Sequence, residues 1–172
     1  MKIALNAGHT KTGPGTGANY KGFNEAAIVR DVAKALKMKL KAKGHTVVDV
    51  TVDNATTQNA YLRKVCKLAN DSGAELFISL HLNASVSKLG HGVEAYTWRG
   101  GQLSKATKIC KNIAALGFKN RGVKDGSKLY VIKHTTAKSI LVELFFLDNY
   151  TDRKLYLEHG AERIAEAIAK SI

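Results

Sequence analysis

Short apolar runs of period two alternate along the chain with apolar stripes of helical period. KIALN at 2–6 predicts a first strand, and a glycine-rich loop follows it. Val29, Val32, Ala33, Leu36 and Leu40 then recur at helical spacing, with Asn24 placed as an N-cap and the stripe fading near Lys43. GHTVVDV at 44–50 predicts a turn and a second strand, and 56–73 predicts a helix ending near Gly73. ELFISLHL at 75–82 is apolar nearly throughout, as expected of a strand covered on both faces. GVEAYTW at 92–98 predicts a fourth strand and the stretch from Gln102 to Leu116 a helix. KLYVIKH at 128–134 predicts a short strand, and SILVELFF at 139–146 a deeply buried one. Ala161, Ile164, Ala165, Ile168 and Ala169 close the chain on a last helix.

Strands and helices in alternation predict an α/β fold. The expectation is one domain over 1–172, a twisted, mostly parallel sheet with helices on both faces. No internal repeat, linker or low-complexity segment interrupts it. A chain of 172 residues is long enough to bury a proper core. Cys66 and Cys110 each fall on the apolar stripe of a helix, which predicts small buried thiols rather than ligands or a disulfide.

Charge narrows the class of partner. Lysine and arginine number 27 against 14 acidic residues, a net charge of +13, so an anionic surface or polymer is expected to attract the chain, less strongly as salt rises. Nucleic acid, anionic lipid and an anionic cell wall all satisfy that condition. The N-terminus MKIALNAGHT lacks the apolar core of a secretion signal, and no run reaches the roughly 18 apolar residues of a membrane span. Synthesis and retention in the cytosol are therefore expected, unless something else releases the protein. A monomer is expected.

Candidate chemistry gathers at one predicted edge. Ligands of open α/β sheets bind beyond the carboxyl ends of the strands. His9 follows the first strand, His81 lies near the end of the third in FISLHLNA, and Glu143 lies near the end of the last. Glu25 opens the first helix as it returns from the loop that carries His9. Glu143 has no basic neighbour in ILVELFFLDN, and a lone ionised carboxylate in an apolar strand costs several kcal/mol. Either that strand end opens into a polar site or a cation stands nearby. Two imidazoles and one carboxylate with an open position form a catalytic zinc set, and a second carboxylate beside it suits a general base. Each residue also has a plainer reading. His9 fits a turn, His81 a core imidazole bonded to a carbonyl, and Glu25 a helix start favoured by the macrodipole. His45, His91, His134 and His159 are assigned to solvent, with His134 the exception to watch because it ends a predicted strand at the same edge. GPGTGA at 13–18 matches a dinucleotide-binding pattern, but about six residues separate it from the strand and no helix opens on it. A loop rimming a cleft is the better reading.

Five short motifs in order carry a resemblance: AGH at 7–9, NEA at 24–26, SLHLNA at 79–84, NRGVK at 120–124 followed by LYVI at 129–132, and LVE…FLDN from Leu141 to Asn149. Together they resemble the zinc-dependent N-acetylmuramoyl-L-alanine amidases of the amidase-3 type, which include phage endolysins and bacterial autolysins. The resemblance implies a six-stranded sheet and a zinc site made by His9, Glu25 and His81, with Glu143 as the catalytic carboxylate. It implies cleavage of the amide joining the lactyl group of N-acetylmuramic acid to L-alanine in peptidoglycan. The family usually has glycine where Phe145 stands and often proline where Lys138 stands, so the pocket beside Glu143 is expected to differ in shape. No separate wall-binding domain is expected within 1–172, and the +13 charge is a candidate anchor on anionic wall polymers. An endolysin released through a membrane pore fits the N-terminus better than a secreted autolysin. Two rivals stand beside this reading. One is another zinc hydrolase of the wall, such as a stem-peptide peptidase. The other is a basic nucleic-acid-binding protein, which the 7% aromatic content and dispersed lysines disfavour.

Overall fold

A computed structural model describes residues 1–172. In chain order the elements are β1 (Lys2–Ala7), β2 (Asn19–Tyr20), β3 (Phe23–Asn24), α1 (Glu25–Ala42), β4 (Thr46–Asp49), α2 (Gln58–Asp71) and β5 (Leu76–Asn83). Then follow β6 (Val93–Thr97), a short 3-10 turn, α3 (Ser104–Ala114), β7 (Asn120–Asp125), α4 (Tyr130–His134), β8 (Lys138–Phe146) and α5 (Tyr150–Ala169).

Six strands form one sheet in the order β4-β1-β5-β8-β6-β7, and β2 pairs with β3 in a small hairpin. The contacts β1–β4, β1–β5, β5–β8 and β6–β7 are parallel, whereas β6–β8 is antiparallel. The sheet is thus mostly parallel, with its last two strands reversed. Helices cover both faces, as the alternation predicts. On one face, α1, α3 and α5 bury Val29, Val32, Leu36, Leu40, Ile109, Ile113, Ile164 and Ile168 against Ile3, Ile78, Ile140 and Val142. On the other, α2 and α4 bury Tyr61, Val65, Val131 and Ile132 against Phe77 and Leu141.

Local chemistry sets the boundaries. The Asn24 side chain accepts from the Ala27 amide at 2.8 Å to start α1, and Thr57 does the same for Ala60 at the head of α2. α1 ends where Gly44 adopts φ 82°, a conformation that costs glycine little. Cys66 and Cys110 are buried free thiols, as their stripes predict.

One expectation needs correction, and one strand escapes the apolar pattern. KLYVIKH is not a strand: residues 130–134 form the one-turn helix α4, which places the adjacent Val131 and Ile132 both into the core. A strand would turn one of them outward. The sheet position instead belongs to β7, whose residues NRGVKD are half-buried at best. An edge strand of this kind carries no apolar alternation, so periodicity misses it.

Asp152 ties the reversed strands to the rest. It is 1% exposed, and its Oδ2 accepts from the Gly92 amide at 2.7 Å and the Phe146 amide at 2.8 Å, joining the approach to β6 to the end of β8. Asp152→Ala leaves two buried donors unpaired and is expected to destabilise the fold by about 2–4 kcal/mol, read as a lowered urea midpoint.

Candidate metal centre

β1, β5 and β8 end side by side. Leu80 pairs with Ala7 in register, and His81 pairs with Glu143. His9 follows β1 at φ 65°, a left-handed conformation uncommon outside glycine. Its Nδ1 donates to the Gly15 carbonyl at 2.9 Å, so Nε2 keeps its lone pair and faces inward. His81 is reversed: Nε2 meets the Ser79 hydroxyl at 3.1 Å, and Nδ1 faces the same point as His9 Nε2. Ser79 is itself held by the Asn6 amide at 2.8 Å. Arg30, from α1, donates to the His9 carbonyl at 2.8 Å and braces this turn from behind.

Glu25 completes the group. It is 3% exposed, and its Oε2 accepts from the Ala18 amide at 2.9 Å while Oε1 accepts from the Leu82 amide at 2.9 Å. Oε1 stands 2.9 Å from His9 Nε2 and 3.4 Å from His81 Nδ1, and the two nitrogens are 3.1 Å apart. Ligands at 2.0–2.2 Å around a tetrahedral ion stand roughly 3.3–3.6 Å from one another. The three donors are therefore spaced for one small divalent cation, after a shift of a few tenths of an ångström. Two lone-pair nitrogens and a carboxylate oxygen turned toward one point are a donor set for zinc.

Backbone close by leaves no room to spare. A Cβ on Gly8 would lie 2.3 Å from His81 Cε1, and one on Gly17 would lie 2.8 Å from Glu25 Oε2 and 2.9 Å from the His9 ring. The glycines of GPGTGA thus serve this site: Gly13, Gly15 and Gly17 all have positive φ and wrap the loop over His9 and Glu25.

Electrostatics separates the carboxylates. Burial pushes the Glu25 carboxyl up, but the hydrogen bonds and charges of His81 and His9 outweigh it and hold Glu25 well below the usual range. Burial lowers His81; it opposes His9 as well, yet Glu25 raises that imidazole on balance. Glu143 has no such support. Its Oε2 is buried without a partner, and burial, then Glu25 and Glu94, push its carboxyl well above the usual range. It lines the same cleft of about 550 Å³ as His9, Glu25, His81 and Tyr61. A cation among the three donors would offset that repulsion.

The structure therefore brings His9, Glu25, His81 and Glu143 to one cleft and leaves the other histidines outside it. His134 is exposed and stacks on Tyr130, ring centroids 4.1 Å apart, at the end of a helix rather than a strand. His159 is not simply solvated, since its Nε2 donates to the Leu116 carbonyl at 2.7 Å. Phe145 does not reshape the cleft either. It is fully buried on the opposite face, stacked between Phe118 and Tyr156, and Lys138 lies at the far end of β8. Sequence reasoning gave no role to Gly8, Ser79 or Arg30; the signal was that Gly8 and Ser79 lie within AGH and SLHLNA, whereas Arg30, one helical turn beyond NEA, had none.

Two outcomes follow from this geometry. Gly8→Ala displaces the His81 ring, so if the three donors hold a divalent cation its affinity is expected to fall at least tenfold, on the scale of lost supporting contacts, as measured by chelator competition with added zinc. Metal-free protein should also respond to pH through Glu143. The unfolded chain releases that proton near the ordinary value of 4.5 and the folded chain only well above it, so stability falls as pH rises above 4.5 until Glu143 ionises. Glu25 has the opposite sign, its stabilisation being lost only as pH falls through its depressed value. Glu143→Gln removes the first slope, so its advantage in urea midpoint over wild type should grow from pH 5 to pH 8.

The family described as Amidase_3, N-acetylmuramoyl-L-alanine amidase, matches residues 3–172. The chain is 32% identical to the endolysin of Bacillus phage SPP1 over 98% of its own length and 65% of that protein. It is 33% identical to N-acetylmuramoyl-L-alanine amidase LytC of Bacillus subtilis over 89% of its length and 31% of that protein. It spans about half, 51%, of two Clostridium perfringens relatives. The catalytic domain of the CD27L endolysin targeting Clostridia Difficile superposes at a TM-score of 0.90, with 31% identity, over 99% of this chain and 96% of that one. The chain belongs to the Amidase_3 family, N-acetylmuramoyl-L-alanine amidase.

Proposed function

We propose that this chain is a zinc-dependent amidase that hydrolyses the bond between N-acetylmuramic acid and the L-alanine of the peptidoglycan stem. The observation that carries the reading is the convergence of His9 Nε2, His81 Nδ1 and Glu25 Oε1 within 3.4 Å of one another, beside a carboxylate with no partner of its own. When bound by His9, Glu25 and His81, zinc supplies a Lewis acid and lowers the pKa of a water toward about 7.

Glu143 takes the proton from the water that attacks the lactyl carbonyl carbon. It returns that proton to the alanine nitrogen as the carbon–nitrogen bond breaks, so a carboxylic acid and a free amine leave. A carboxyl raised by burial and by neighbouring charge holds a proton long enough to deliver it, which suits this exchange. Glu25, kept ionised by its two amide donors and two imidazoles, is unsuited to it. The residues from 1 to 172 act as one catalytic domain, and the net charge of +13 draws it to the anionic polymers of the wall. The similarity to a phage endolysin supports a role in host lysis.

Glu143→Gln is expected to keep its zinc, by elemental analysis, and to lose about 10²–10⁴-fold in wall hydrolysis. His81→Ala should lose the metal as well. Chelation should abolish lysis and zinc add-back restore it. Mass spectrometry of digested wall should find new L-alanine amino termini and intact glycan; cleavage within the stem would make the chain a peptidase instead. Whole-cell lysis should fall as salt rises, and a flat salt response would end the electrostatic anchor.

A further inference from the structure

Because β6 and β7 run against the other strands, their first residues stand at the edge where β5 and β8 end. Glu94 therefore lies directly opposite Glu143 in the β6–β8 register. It is 2% exposed, yet fully satisfied: Asn83 Nδ2 and Tyr96 OH donate to Oε1 at 2.7 and 2.8 Å, while Arg121 Nε and Lys124 Nζ meet Oε2. Two cations meet one anion, so the cluster carries a net positive unit on the side of Arg121 and Lys124, while the Glu94 carboxylate is what faces Glu143 in register. Arg121 is fixed twice, by Glu94 at Nε and by the Phe146 ring, 4.9 Å beneath its guanidinium. Nε is its only donor engaged by the protein, and its side chain is 28% exposed. The outer fork of Nη1 and Nη2 is held in place and free. Such a fork matches a carboxylate through two parallel hydrogen bonds.

We infer that Arg121, braced by Glu94 and Phe146, is a binding residue for the α-carboxylate of the second residue of the stem peptide. The inference rests on the amidase reading and deepens it. Glu143 serves the departing alanine amine, so the surface next to it toward β6 and β7 receives the peptide rather than the sugar. The first alanine has its carboxyl in a peptide bond, and the next residue, a γ-linked D-glutamate, carries the first free carboxylate. That group lies about 5–7 Å from the alanine nitrogen along an extended chain, comparable to the roughly 4.8 Å step from β8 to β6, where Glu94 holds the guanidinium that Arg121 extends from β7. Glu94 itself takes no part in proton transfer, because its oxygens are occupied by four donors.

The test is equilibrium binding of the free stem tripeptide to the zinc-loaded chain by calorimetry, against the same peptide with that carboxylate converted to a carboxamide. Wild type should bind the carboxylate form at least tenfold more tightly. Arg121→Gln should bind both forms alike. Arg121→Lys keeps a cation on Glu94, and with it the fold, but loses the fork; it too should show no preference. Equal binding of both peptides by wild type, or a preference that survives in Arg121→Lys, overturns the subsite. A wall digest without new L-alanine amino termini would instead overturn the amidase reading, and the peptide comparison would still decide the subsite.

Discussion

Glu25 is the point on which the site depends. One buried carboxylate accepts from the Ala18 amide of the glycine-rich loop and the Leu82 amide of β5, while facing both His9 and His81. It sits at the first position of α1, so the helix, the loop and the central strand all meet at its two oxygens. A carboxylate so placed is tolerable only if nearly every lone pair is used, and here they are. The constraint runs outward from there. Gly17 must lack a side chain for the loop to reach Glu25, Gly8 must lack one for His81 to turn inward, and His9 must accept a left-handed backbone.

Three carboxylates stand along one edge of the sheet, and their surroundings divide them by role. Glu25 is compensated by amides and imidazoles, and Glu94 by Arg121, Lys124, Tyr96 and Asn83, so both are held ionised. Glu143 lies between them in the sheet with no donor on Oε2, and their two negative charges press its proton on. The proposed role of Glu143, taking and returning a proton, is better served by this unpaired position than by a satisfied one. The Glu94 that raises Glu143 also fixes Arg121, so the proposed proton transfer and the proposed recognition of the departing peptide would share one electrostatic arrangement.

Aromatic contacts away from the donors hold the strand and the loop that carry the site. Phe145, an aromatic residue inside the strand that carries Glu143, is absorbed by the opposite face of the sheet through its stack with Phe118 and Tyr156. Tyr20 and Phe23 of the β2–β3 hairpin lie against the Arg153 guanidinium, 4.8 and 5.6 Å from their centroids, which anchors the loop over the site to α5. The loop is thereby held where its Gly15 carbonyl and Ala18 amide meet His9 and Glu25.

The sequence by itself determined the α/β layering, the helices α1, α2, α3 and α5, the strands with apolar cores, and the four residues that meet in the cleft. These are local properties. Period reports which face of an element is buried, and a polar residue at the end of an apolar strand stands out because nothing beside it in the chain can satisfy it. Only the tertiary structure decided the direction of β6 and β7, the identity of the sixth strand and the helical state of 130–134. Strand direction depends on which neighbour a segment pairs with, and an edge strand rich in Asn, Arg, Gly and Lys leaves no apolar pattern to announce it. For that reason the nearness of Glu94 and Arg121 to the site was invisible in one dimension, although Arg121 falls in the NRGVK motif. They begin their strands, and they belong to the site only because those strands run backwards.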